Sequence, residues 1–261
     1  MSAEPAQGNS RIMLDKIFKI YAREGGINVN YIIWKGQDSR GLNGLIISEL
    51  PPITRPSIKT QVTEIEGKDG DIIDYVGYSA YDKCVKIGLY GDYKIDEISK
   101  FFSGSGKVTF SNEPEKYYIA EIIDQIDFER FVKFRIANIK FHTQPFKYLV
   151  DEKPVETDIT EEIKEIKVTN LGTEDSRPIF TLTGTGIIEI SINGYTKFQV
   201  NIDDSYLTVD SKLEECYKDN LNTLKNRNMG GEFPVLQPGE NVITWTGNLT
   251  KLKIQPESRW I

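Results

Sequence analysis

The sequence predicts a mainly β protein of two domains, with a flanking helix and a projecting hairpin in the first. Three observations lead there. Tyr (13 residues) and Phe (12 residues) are abundant, and Val, Ile and Thr recur in short runs, a composition that suits half-buried pleated surfaces. Turn signals interrupt those runs at short intervals, most clearly Asp69-Gly70 and Asn193-Gly194. A charged seam, Asp151-Glu152-Lys153-Pro154, then splits the chain into two stretches of ordinary domain size. The seam divides the charge as well. Residues 1–150 hold 20 Lys+Arg and 20 Asp+Glu, whereas residues 151–261 hold 12 and 19 and account for the whole net charge of −7. A neutral unit packs against copies of itself at little electrostatic cost, and an acidic one stays hydrated and outward-facing.

Residues 1–30 stand apart as an extension. Ser2 to Ser10 is polar and small and reads as disordered, and Ile12, Leu14, Ile17, Phe18, Ile20 and Tyr21 recur at helical spacing before Gly25-Gly26. Three readings stay open: an amphipathic helix that docks on a partner, a cloning remnant, or a start codon placed too far upstream of Met13.

The first domain, 31–150, opens with a strand at Tyr31-Trp34, a polar turn at Asp38-Gly41 and a second strand through Ile46-Ile47. Pro51, Pro52 and Pro56 impose an extended passage, because proline fixes φ and restricts the residue before it. Lys59-Ile65 alternates polar and apolar residues, Asp69-Gly70 supplies a tight turn, and Ile72-Val76 returns. A strand over Tyr81-Tyr90 leads to a helix that Asp92 caps, that presents Ile95, Ile98, Phe101 and Phe102, and that Gly104 ends. Strands follow at Lys107-Phe110 and Tyr117-Ile123, then a long one over Phe128-Phe141 whose phase slip predicts a bulge.

The second domain, 151–261, reads as a two-sheet sandwich. Its strands are Ile163-Val168, Ile179-Leu182, Ile188-Ile192, Tyr195-Val200, Glu232-Leu236, Asn241-Trp245 and Leu252-Ile254, separated by turns such as Gly184-Thr185-Gly186 and Pro238-Gly239.

No catalytic constellation emerges. Gly104-Ser105-Gly106-Lys107 lacks the following Ser or Thr and the upstream glycine of a phosphate loop, and follows a helix instead of preceding one. His142 is the single histidine and cannot build a multi-histidine metal site; it reads as a structural residue in a strand. Asp203-Asp204 and Glu214-Glu215 are carboxylate pairs of the kind that hold calcium or act as acid and base, but surface placement is the default among 39 acidic residues. Trp34, Trp245 and Trp260 suit core or interface packing better than sugar stacking. Cys84 and Cys216 fall in different domains and read as reduced thiols. The absence of a long apolar run or a basic stripe argues against membrane spanning and sequence-specific nucleic-acid binding. A secretion signal is not expected, so a soluble protein of a reducing compartment, or one assembled there, is. No cofactor is expected.

Taken in order, these motifs resemble the distal tail protein (Dit) family of siphophages, the hub of the tail-tip baseplate. The resemblance runs through Glu66-Gly67-Lys68-Asp69-Gly70-Asp71, the helix Ile95-Phe102 and Val108-Ala120. It continues in Val168-Thr173, Arg177-Pro178, Gly184-Gly186, Ile190-Gly194, Gly231-Pro234 and Leu236-Asn241. It covers nearly everything from Tyr31 onward, and it rests on order and spacing, since each turn motif alone is unspecific. The resemblance implies a non-enzymatic structural protein of the virion tail tip, assembled in the bacterial host cytoplasm. It implies a tail-tube-like β-sandwich with a flanking helix and arm hairpin, then a galectin-like β-sandwich. Six copies would close a homo-hexameric ring, single or stacked, that joins the tail tube protein to the tail-associated fibre-hub protein and carries receptor-binding proteins. Glu66, Lys68, Asp69, Gly70 and Asp71 would form the tip of an assembly arm, and Asp151, Glu152, Lys153 and Pro154 the domain linker. The rival readings are a lectin-like carbohydrate-binding host-adhesion protein and a glycan hydrolase using the acidic pairs.

Overall fold

The computed structural model describes residues 30–67 and 69–261. The helical pattern at Ile12–Tyr21 and the arm residue Lys68 lie outside the described residues. The protein is mainly β, built of curled antiparallel sheets.

The first half contributes β1 (Ile32–Trp34), β2 (Gln37–Asp38), β3 (Leu45–Glu49), the paired β4 (Ile58–Glu64) and β5 (Asp71–Tyr78), β6 (Tyr81–Leu89), helix α1 (Ile95–Phe101), β7 (Ser105–Phe110), β8 (Lys116–Glu121), helix α2 (Phe128–Phe134) and β9 (Ile136–Leu149). One sheet runs in the order β2-β1-β7-β8-β9-β6-β3, while β4 and β5 pair only with each other. Alternation along these strands sends Trp34, Val85, Ile87, Val108, Phe110, Ile139 and Phe141 to one face, where all are buried. The α1 residues Ile98 and Phe101, with Phe102 after them, close over that face. Trp34 and Phe102 both meet the ring of Phe141 edge-on, at 5.2 and 6.4 Å.

Two expectations for this half are corrected. Asp92 does not cap α1: Lys94 occupies the N-cap without a side-chain hydrogen bond, and Asp96 and Glu97 in the first turn supply the negative charge its N–H groups favour. The strand expected over Phe128–Phe141 is a helix followed by a strand. Asp127 caps α2 by accepting from the Arg130 amide at 2.8 Å, and Arg135 at φ 62° ends it. Phe128, Phe131 and Phe134 follow helical spacing, so the phase slip marks the change from period 3.6 to period 2, not a bulge.

The second half contributes β10 (Val155–Asp158), β11 (Glu165–Asn170), β12 (Ile179–Ile192), β13 (Tyr195–Ile202), β14 (Tyr206–Asp210), β15 (Glu215–Tyr217), β16 (Met229–Gly231) and β17 (Gly239–Gln255). The strands expected at Ile179–Leu182 and Ile188–Ile192 are one bent strand, β12, and those at Asn241–Trp245 and Leu252–Ile254 are one bent strand, β17. Their pairing shifts register near Gly184 and Gly247. A Cβ at Gly184 would strike the Asn248 carbonyl, and one at Gly247 the Ile187 carbonyl, so only glycine permits the two backbones to fold over each other there. Before its bend β12 pairs with β14, and after it with β13; β17 likewise divides its length between β11 and β10. Two layers result, joined by the bent strands. They face each other through one core, as the edge-on pair Phe180–Phe198 at 5.6 Å records. The segment Glu232–Leu236 forms no strand apart from a single bridge between Leu236 and Ser176.

The chain ends by crossing back. Its last strand, β18 (Arg259–Trp260), pairs with Tyr148 and Lys147 of β9 and so belongs to the sheet of the first half.

Candidate assembly interface

The β4–β5 hairpin is the most exposed element among the described residues. Every residue of β4 is exposed, as is every residue of β5 before Tyr78. Val62 is 53%, Ile73 50%, Tyr75 75% and Val76 66% accessible, on a ribbon whose register runs from Ile58–Tyr78 to Glu64–Asp71. The predicted tip residues Glu66, Asp69, Gly70 and Asp71 are exposed at its turn, and Gly67 and Gly70 take φ values of 79° and 82° that only glycine adopts without strain. Two strands with no covering layer are marginally stable by themselves. An exposed apolar ribbon with free edges is also a template for pairing.

The root of the arm is fastened to the sheet, a feature that sequence reasoning missed. Asn112 Nδ2 donates to the Pro51 carbonyl and Lys83 Nζ to the Pro52 carbonyl, both at 3.0 Å. The Ser79 amide donates to the Ser57 carbonyl at 2.8 Å and closes the base. Lys83 is buried, and its ammonium faces the rings of Tyr81 and Tyr118. Burial lowers its pKa to about 8, against the attraction of Glu113 and with the repulsion of Lys147. Glu113 and Lys147 pair at 2.7 Å beside it, and Tyr118 donates its hydroxyl to Glu113 at 3.0 Å.

The seam residues form a tied joint. Asp151 and Lys153 are exposed and pair with each other at 2.5 Å. The Glu152 carboxylate accepts from the Ser258 amide at 3.0 Å, and its backbone carbonyl from Gln255 Nε2 at 3.1 Å; Pro154 is partly buried just before β10. A cavity of about 150 Å³ lies here, lined by Lys107, Tyr117, Tyr148, Glu152, Gln255 and Glu257 among others. Burial holds the Glu257 carboxyl above its ordinary range, with Glu152 and Asp210 adding to the effect and Lys212 and Lys107 opposing it. Burial, with Glu257 and Glu152 nearby, pushes Tyr117 up to about 12. Tyr78 also donates across the seam to Glu174, at 3.2 Å. Arg259 lies 4.0 Å from the Phe146 ring, and its backbone fills the space where Gly172 lacks a Cβ.

The remaining candidates are scattered. Gly104–Lys107 opens β7. His142 sits on the outer face of β9 with Nδ1 2.8 Å from Asp82, and Lys140 joins the same solvent-facing cluster to Asp124. Asp203 and Asp204 pair with Lys225 and Lys218, and Glu215 accepts from Asn226. Among the described residues no three His, Cys, Asp or Glu side chains are grouped to hold a metal, and no helix is long and apolar enough to cross a membrane. Trp34 is core, Trp245 packs beside the second core and Trp260 lies 5.0 Å from Lys116. Both cysteines are free, Cys84 exposed and Cys216 buried.

No protein-family model matches the chain, and no curated protein does. Among solved structures, the Dit protein of phage SPP1, described as a paradigm of the hub adsorption apparatus in phages infecting Gram-positive bacteria, is similar at a TM-score of 0.64. That match covers 87% of this chain and 99% of the SPP1 protein at 19% identity. A chain of the phage P2 baseplate, in its activated conformation with calcium, matches at a TM-score of 0.48 and 9% identity over 87% of this chain and 97% of its own. The chain described here has the fold of the SPP1 Dit protein.

Proposed function

We propose that this protein is a structural hub subunit of a phage tail tip, a distal tail protein rather than an enzyme. The observation that carries the reading is a fold shared with a hub adsorption protein over 99% of that protein's length. The exposed apolar hairpin supports it, since such an arm suits a subunit that assembles. In this reading residues 31–150 form a homo-hexameric ring, and residues 151–261 face outward as galectin-like domains. The ring joins the tail tube protein to the tail-associated fibre-hub protein and carries receptor-binding proteins. The charge division agrees with this arrangement. Six neutral halves come together without an accumulating field, whereas six acidic halves are best held about a Debye length or more apart. Cyclic closure needs one patch to meet a different patch on the next copy.

Native mass spectrometry of the full chain tests the proposal. A species of six or twelve subunits is expected. A strict monomer at tens of micromolar, on the order where moderate interfaces form, contradicts it.

A further inference from the structure

The tip of the arm has a chemical signature beyond its exposure. Residues 64–74 hold five carboxylates, Glu64, Glu66, Asp69, Asp71 and Asp74, against one lysine. None of the five forms an ion pair with another described residue. Exposed Ile65, Ile72 and Ile73 are interleaved with them. A surface that receives this tip must combine cations with apolar area.

The corner formed by α2 has that combination. Its segment Arg130-Phe-Val-Lys-Phe-Arg135 places three cations in six residues, and none of them is in an ion pair among the described residues. Arg130 and Lys133 flank the ring of Phe134 at 5.8 and 5.6 Å, and Phe134 is 58% exposed; Val132 in the same helix and Ile136 at the start of β9 are exposed as well. Asp124 pairs with Lys140 at 2.7 Å, and Asp127, which keeps its charge while capping the helix, and Glu129 stand against three cations, of which Arg135 lies 4.8 Å from the Tyr93 ring.

Resting on the hub reading, we propose that the acidic hairpin tip of one copy docks on the basic, apolar α2 corner of the next. Among the described residues nothing covers the tip: all of β4 and nearly all of β5 are exposed there. Reach is adequate: an eight-residue strand spans about 26 Å, roughly twice the radius of gyration of a 100-residue domain. The contact joins unlike patches, as cyclic closure requires. The Ile side chains desolvate Phe134 and Ile136, and the ring of charge around them sets register and salt dependence.

The test is charge exchange in the full chain, read as the concentration at half assembly by sedimentation velocity. Arg130→Glu with Lys133→Glu, and separately Glu64→Lys with Asp71→Lys, should each raise that concentration tenfold or more, by about the same factor in low salt and less in high salt. The two pairs of substitutions combined should recover most of the loss, which a folding defect would not do. Normal assembly of the Arg130→Glu, Lys133→Glu variant, while removal of residues 66–71 abolishes assembly, overturns the α2 assignment and leaves the hub reading standing. A wild-type chain that never assembles overturns the hub reading, and this proposal falls with it.

Discussion

Two hairpins in this molecule share one local code and meet different fates. Asn193-Gly194 joins the end of β12 to β13, and the inward face of that pair, including Ile188, Ile190, Ile192, Phe198, Val200 and Ile202, is buried in the second core. The turn at Asp69-Gly70 joins β4 to β5, whose apolar residues meet solvent. Turn chemistry and alternation make a hairpin in both cases. What differs is the covering layer, which the described residues supply to one and not to the other. The arm's second face is accordingly assigned to another molecule, and the consequences of side-chain removal should differ sharply between the two ribbons.

The largest expected effect sharpens that contrast. Phe198→Ala, in the covered hairpin, should cost about 3–5 kcal/mol of unfolding free energy in urea titration. Tyr75→Ala, in the arm, should change the stability of the dissociated subunit by no more than about 0.5 kcal/mol while weakening assembly. Comparable losses for the two would erase the comparison.

A smaller effect concerns the arm's root, which is held where its blades are not. Lys83 has a folded pKa of about 8 against an ordinary 10.5, because burial disfavours the ammonium. The unfolded chain therefore binds more protons between those values, and stability should rise with pH across that window. Below about pH 8 the full penalty applies. The rise should be on the order of 1–3 kcal/mol, and Lys83→Met should flatten it. The tyrosines whose pKa values are raised, Tyr81, Tyr117, Tyr118, Tyr148, Tyr206 and Tyr217, act in the opposite sense only above their ordinary value of 10. Urea titrations between about pH 7.5 and 9.5, compared between the wild type and Lys83→Met, isolate the lysine, because Cys216, raised by burial from 9.0 to about 11, opposes the rise equally in both. Parallel profiles for the two would remove Lys83 from the account.

Local signals were legible and long-range ones were not. Both hairpin turns and the apolar face of α1 follow from spacing over a few residues. The helix α2 was hidden because Phe128, Phe131 and Phe134 run directly into the alternation of β9, so two periods merged into one apparent irregular strand. The bends of β12 and β17 looked like strand ends, since a glycine that lets two backbones cross has the same sequence as one that makes a turn. The return of β18 to β9 had no local trace, because its receptor at Gly172 and its partner at Tyr148 lie far away in the chain. Alternation in Lys59–Ile65 marks a hairpin, but it does not say that every residue of β4 is exposed among the described residues. For the arm residues, what was readable was the turn; the unpaired charge around it needed the structure.

The smallest effect probes the turn itself. Gly70 has φ 82° and open space where a Cβ would stand, so Gly70→Val should cost about 1 kcal/mol or slightly more through backbone strain alone. Because the arm contributes little to the subunit, that cost should appear as weaker assembly with an unchanged midpoint for the subunit in denaturant. A lowered subunit midpoint would mean that the arm is part of the domain's own cooperative unit.

The most direct measurement is amide hydrogen exchange along β4 and β5 at two protein concentrations, one below assembly and one above it. Below assembly the arm amides should exchange far faster than those of β12 and β13, and above it they should become protected while β12 and β13 stay as they were. Arm amides that are equally protected at both concentrations, or that remain fast in an assembled ring, would contradict the claim that the arm's missing layer is another subunit.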